Sequence, residues 1–127
     1  MKYNHFIYGV LLLVIDFIFV YTFMSKKYQI MVSKIQKSPM VIKYEFVLLS
    51  YFLMLLGLYI FVLPKLEKKN KRTIKYGFFY GIILYGVYDF VCASIFQDWD
   101  LKLMVIDIIW GGFVYSLISM SYIYIPV

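Results

Sequence analysis

Four apolar runs, each close to the roughly 20 residues that an α-helix needs to cross a ~30 Å hydrocarbon core, alternate with clusters of charge along the chain. The first covers residues 6–24 and is broken only by Asp16. The second covers 41–63, with Lys43 and Glu45 near its start and Pro64 at its end. The third, 76–96, is interrupted by Asp89, and the fourth, 101–125, is interrupted by Asp107 and closed by Pro126. None of the runs alternates with a period of two, and four strands are too few to close a barrel in lipid. The pattern therefore predicts an all-α integral membrane bundle of four transmembrane helices, a single domain over residues 1–127.

Between the first two runs, Tyr28, Met31, Val32 and Ile35 recur at i, i+3, i+4 and i+7 among Lys26, Lys27, Lys34 and Lys37. This spacing predicts a short amphipathic helix lying in the membrane interface within the first loop, the alternative being an exposed linker. The second loop carries Lys65, Lys68, Lys69, Lys71, Arg72 and Lys75 against a single acid, Glu67. Such a cluster is first of all a topology signal and secondarily a contact for anionic lipid headgroups; nucleic acid is not expected, because no separate folded unit exists to read bases. Seven basic residues, including Lys2, fall on the side of the termini and six on the other. The denser second loop places both termini in the cytoplasm. Tyr3, Trp99, Tyr122 and Tyr124 stand where interfacial aromatic belts form.

Composition agrees with the pattern. Of 127 residues 64% are apolar, 22% aromatic and only 16% charged, with a mean hydropathy of +0.81, far from the balance of soluble domains. The first run is followed by no small-residue cleavage site and reads as a retained span. Cys92 is the single cysteine and His5 the single histidine, so neither an internal disulfide nor a histidine metal site is expected. No serine-nucleophile constellation, phosphate loop or cysteine cluster is present; the expectation is a protein that is not an enzyme and needs no cofactor or metal.

The three interrupting aspartates carry the candidate chemistry. Asp16, Asp89 and Asp107 each lie about nine residues from a helix end on one side of the bilayer, which puts them at a common depth of roughly 13 Å. Ser50 and Tyr51 of the second run fall near that depth, and no lysine or arginine does. Each ionised aspartate so placed costs on the order of 3 kcal/mol, and therefore needs a proton, a cation or hydrogen-bond partners. Mutual repulsion leaves at least one of the three expected to hold its proton at neutral pH. The first reading is a set of interhelical hydrogen bonds that fix packing, and the second a proton or cation site. Small residues are a further packing feature: Gly77 and Gly81 form G-x-x-x-G, Gly86 follows, and Gly111 and Gly112 stand in the fourth run beside Trp110. Their expected use is close helix approach within the chain, with dimerisation as the alternative.

Tyr76-Gly77-Phe78-Phe79-Tyr80-Gly81, Tyr85-Gly86-Val87-Tyr88-Asp89, Trp99 and Asp107-Ile108-Ile109-Trp110-Gly111 resemble the small predicted membrane proteins catalogued as domain of unknown function 2177. Asp16 matches an aspartate of that family's first span, and Tyr51, Gly57 and Pro64 match its second span and exit. The chain departs from the pattern in having Phe19 in place of a tryptophan, and Asp89-Phe90-Val91-Cys92 in place of Asp-Leu-Thr-Asn, which removes two potential polar partners of Asp89. The resemblance implies four helices with the aspartates as a unit and no activity. Two function classes follow: a structural or assembly component of a cellular or viral membrane, or a proton- or cation-coupled carrier or channel subunit. The lipid bilayer is the expected partner, together with a homo-oligomer or larger membrane assembly. A bias towards Tyr, Phe, Ile and Lys fits an AT-rich genome, as in several bacteria and large DNA viruses, so the membrane is a bacterial plasma membrane or a viral or host membrane.

Overall fold

The computed structural model describes residues 5–125, which form an all-helical bundle; Lys2, Tyr3 and Pro126 lie outside the described residues. α1 (Phe6–Phe19) passes through a π-helical segment (Val20–Met24) into α2 (Ser25–Gln36). α3 (Tyr44–Gly57) is extended by a π segment (Leu58–Val62) and a 3-10 turn (Leu63–Lys65) that contains Pro64. A 3-10 turn (Lys71–Thr73) leads into α4 (Ile74–Ile95), and α5 (Leu101–Tyr124) completes the chain. Four helical stretches are long and apolar enough to cross a membrane: Phe6–Gln36, Tyr44–Lys65, Lys71–Ile95 and Leu101–Tyr124.

The element ends have local causes. Asn70 Oδ1 accepts from the Arg72 amide at 3.1 Å and opens the turn that leads into α4. The Asp100 carboxylate accepts from the amides of Lys102 (2.9 Å) and Leu103 (3.2 Å) and caps α5, covering amides that have no partner inside the helix. α2 ends at Lys37, whose φ of 57° is left-handed, as helix C-termini commonly require.

In the first loop the expected short helix is present as α2, but not as a separate element. No separate interfacial helix follows a break; α1 and α2 form one helix of 31 residues. From residue 10 to residue 38 there is neither glycine nor proline, and an unbroken hydrogen-bond ladder avoids exposing backbone groups near lipid. At 1.5 Å per residue such a helix is about 46 Å long, so α2 extends past a ~30 Å core. The π segment carries the adjustment: Thr22 Oγ1 donates to the Ile18 carbonyl at 2.6 Å, and each residue added to a helix rotates the following face by about 100°. That face is not given to lipid alone. Met31 is buried, and Tyr28 and Ile35 pack with it and Met24 against Trp99 and Leu103. Trp99, at 8% exposure, is accordingly a core residue and not part of an aromatic belt, whereas Tyr124 is exposed at the opposite end.

α4 and α5 pack most closely. A Cβ on Gly77 would collide with the Ser119 side chain and the Tyr115 carbonyl, and one on Gly81 with the Gly111 backbone. On Gly111 it would meet the Tyr85 ring, and on Gly112 the side chain of Ile82. These four glycines serve contact within the chain, the mode in which small residues let membrane helices approach. Gly86 is different: a Cβ there meets only Phe90 of its own helix, at 3.9 Å, so it is no packing glycine. Two glycines that the sequence did not mark as packing residues do serve close contact: Gly9 accommodates Tyr59, and Gly57 accommodates Tyr80.

The bundle has two unlike ends. His5, the second loop and the C-terminus of α5 share one end, where the Lys69 amide donates to the Ile123 carbonyl at 2.9 Å and Tyr8 Oη to the Ile125 carbonyl at 3.2 Å. The half of the bundle next to it is filled by Tyr8, Leu12, Leu58, Val62, Val114, Tyr115, Ile118 and Ile123. Near that half α3 is held by Tyr115 Oη on the Met54 carbonyl (3.2 Å) and by Tyr59 Oη on the Phe6 carbonyl (3.1 Å). Its other half stands away from the bundle, with Phe46, Leu48 and Leu53 exposed.

A Gly81→Val variant is expected to lose about 1–3 kcal/mol through overpacking, and Gly86→Ala to be neutral or to gain up to about 1 kcal/mol in helix propensity. Unfolding titrations in mixed micelles followed by circular dichroism measure both; equal losses at the two positions would refute the assignment of the α4–α5 contact.

Candidate functional site

Asp16, 4% exposed, stands on α1 where that helix crosses α4 and α5. Its Oδ1 accepts two hydrogen bonds, from Tyr85 Oη at 2.8 Å and from Trp110 Nε1 at 2.9 Å. Tyr85 is four residues before Asp89 and Trp110 three after Asp107, so each donor shares a helix face with another aspartate. Phe19, one turn beyond Asp16, stacks on the Trp110 indole with ring centroids 3.9 Å apart. Phe19 thus lies against the ring that serves Asp16.

Asp107 projects from α5, buried, within electrostatic reach of Asp16 and Asp89, with Tyr28 of α2 beside it. Asp89 is fully buried. Both of its carboxylate oxygens lack a hydrogen-bond partner, as does the buried Nε1 of Trp99, although Asp107 and Trp99 are its neighbours. An isolated ionised carboxylate so placed costs several kcal/mol. Two carboxyl groups side by side in such surroundings are stable when they hold a proton between them. Cys92 lies near Asp89, whereas Val91 faces outward.

The three aspartates are therefore neighbours in series, Asp16 to Asp107 to Asp89. Among the described residues no group of three His, Cys, Asp or Glu side chains is placed to hold a metal ion.

Beneath the free half of α3 lies a cleft. One part, of about 420 Å³, has Asp16, Asp107 and Tyr85 on one wall and Ser50 and Tyr51 of α3 on the other. A second part, of about 680 Å³, is mostly apolar and is lined by Ile35, Met40, Phe96 and Trp99 towards the end formed by α2 and the α4–α5 turn. Val20, Tyr28, Val47 and Tyr88 line both parts, which are therefore adjacent. None of the fully buried side chains that fill the other half of the bundle lines either part. Ser50 was expected in a buried site; it is exposed, and its hydroxyl donates to the Val47 carbonyl of its own helix at 2.7 Å. Tyr51 is half-buried and within reach of Asp16.

The basic loop divides as well. Lys68 Nζ donates to the Tyr122 carbonyl at 2.6 Å and lies 4.1 Å from the centre of the Tyr122 ring, so it caps the C-terminus of α5. Lys65, Arg72 and Lys75 line a separate cavity; Lys69 and Lys71 do not. Tyr28, Tyr85, Tyr88, Trp99 and Trp110 all escaped the sequence reading as site residues. Only Tyr85 and Trp110 carried a signal, their spacing of four and three residues from an aspartate on the same helix.

The sequence matches, over residues 2–124, the family described as Predicted membrane protein (DUF2177). No curated protein and no solved structure shows a significant match.

Tyr85→Phe removes one donor from Asp16 and is expected to cost about 0.6–1.7 kcal/mol, the range of interhelical hydrogen bonds in membranes. Asp16→Asn keeps an oxygen that can accept both donors and should cost less than Asp16→Leu. Unfolding in mixed micelles decides it: equal losses for Asn and Leu would remove the packing role given to Asp16.

Proposed function

The chain belongs to the DUF2177 family of predicted membrane proteins, and we propose that it works there as a small proton-coupled carrier or channel subunit, with the Asp89–Asp107 pair as its proton site. One observation carries the reading: Asp107 lines a cleft in the half of the bundle away from the second loop, while the carboxylate behind it, Asp89, is fully buried with no well-formed hydrogen bond from its neighbours Asp107 and Trp99. A group that served packing alone would be satisfied, as Asp16 is by Tyr85 and Trp110. The three-aspartate cluster then divides by role. Asp16 ties α1 to α4 and α5, which is the part of the structural reading that the hydrogen bonds favour, and Asp89 and Asp107 exchange a proton with the cleft.

The vestibule is one-sided. Tyr8, Leu12, Val114, Tyr115 and Ile118 close the other half, so passage across the membrane requires either a rearrangement of α3, the least embraced helix, or an assembly with further copies. The end that holds the second loop carries Lys65, Lys68, Lys69, Lys71, Arg72 and Lys75 against Glu67, and by the positive-inside rule it faces the cytoplasm with both termini. The cleft then opens away from the cytoplasm.

The test is proton flux. Wild-type protein reconstituted in vesicles with an internal pH-sensitive dye and a potassium-driven potential is expected to acidify or alkalinise the lumen faster than empty vesicles. Asp107→Asn and Asp89→Asn should each reduce that flux by about tenfold or more, since a positioned proton-transfer group typically contributes at least that much. Glu45→Gln, exposed at the start of α3, should leave it unchanged. Wild-type flux no greater than that of empty vesicles would overturn the carrier reading and leave a structural or assembly protein of its membrane.

A further inference from the structure

We infer that the cavity formed by the second loop and the first turn of α4 is a binding site for the phosphate of one anionic phospholipid, placed to hold a single lipid against the outer face of α3 and α4. The cavity, of about 390 Å³, is lined by Pro64, Lys65, Glu67, Arg72, Thr73, Lys75 and Tyr76 among others. Its charge is unbalanced. Lys65 and Lys75 both direct their ammonium groups at one ring, at 5.9 and 5.3 Å from the centre of Tyr76, and Arg72 lines the same space. The one acid, Glu67, has its Oε2 engaged by Asn70 Nδ2 at 2.8 Å. Three cations therefore converge on a space with one carboxylate that is already hydrogen-bonded, and an anion relieves their repulsion. The other basic residues of the loop are used or directed elsewhere: Lys68 holds the end of α5, and Lys69 and Lys71 do not line the cavity.

Two features select a lipid as the source of that phosphate. The cavity sits at the ends of two spans, Tyr44–Lys65 and Lys71–Ile95, the level of the headgroups. Directly along α4 from Tyr76, the exposed side chains Phe79 and Ile83 continue the same face at i+3 and i+7, and exposed Phe61 lies beside them, stacked on Tyr80 with centroids 6.2 Å apart. A phosphate in the cavity thus has an apolar ridge below it for its acyl chains. Tyr76 joins the two regions, with a ring for the cations above and the start of the apolar face below. This site is at the opposite end of the bundle from the carboxyl pair and does not depend on the proton reading.

Native mass spectrometry of the full chain released from nanodiscs of mixed phosphatidylglycerol and phosphatidylcholine reads the site directly. One phosphatidylglycerol per chain is expected to be retained in preference to phosphatidylcholine by about fivefold or more, since basic residues near the headgroups attract anionic lipid. The triple variant K65Q/R72Q/K75Q should lose that preference. K26Q/K69Q/K71Q, which removes the same charge, should keep it. Three results would overturn the inference: no preference in the wild-type protein, equal loss in both triple variants, which means unspecific surface charge, or displacement of the lipid by excess inorganic phosphate, which means a site for free phosphate. Circular dichroism verifies helix content in each variant; if K65Q/R72Q/K75Q does not fold, the wild-type preference and the phosphate competition decide alone.

Discussion

Everything in this bundle depends on how closely α4 and α5 approach. Lipid offers little hydrophobic drive to bring helices together, so contact must come from shape, and here it comes from Gly77, Gly81, Gly111 and Gly112. Because the backbones meet there, Asp89 and Asp107 become neighbours, and Tyr85 and Trp110 converge on one oxygen of Asp16. The glycines and the aspartates are parts of one arrangement. Side chains in place of the glycines would separate the carboxyl groups as surely as they would loosen the helices.

The aspartates illustrate how similar residues are assigned different work by their surroundings. Asp16 is reached by two rigid aromatic donors from two helices and so acts as a clasp. Asp89 has a carboxylic neighbour and an indole within reach but no well-formed hydrogen bond to either. Asp107 lies between them and alone of that pair lines the cleft. A buried polar network that is fully satisfied specifies one structure, whereas a partly satisfied one is where chemistry can occur. Both conditions are present within a few residues of each other.

Segment length and the absence of breakers made the four spans legible, and the equal spacing of Asp89 and Asp107 from the α4–α5 turn made their pairing legible, whereas the count for Asp16 used a helix end that the continuous α1 and α2 do not have. What stayed hidden was rotation about each helix axis. Depth follows from a rise of 1.5 Å per residue, but whether Gly86 faces a neighbour, or whether Ser50 faces inward, depends on which side of a helix is covered, and helices that are apolar all round give no such sign. The same limit concealed Trp99, whose position near a helix end suits a membrane belt equally well. The continuity of α1 and α2 was hidden by the lysines at 26 and 27, which read as the end of a span although charge does not end a helix; only a lost donor or a left-handed residue does so, and the first of these is Lys37.

The uneven hold on α3 has a mechanical meaning. Anchored near Met54 and Gly57 by Tyr115 and Tyr80, and only lightly packed from Tyr44 to Leu53, it is a cantilever clamped at one end. A helix held in this way yields first along its loose arm, and that arm is the one that faces the acidic wall.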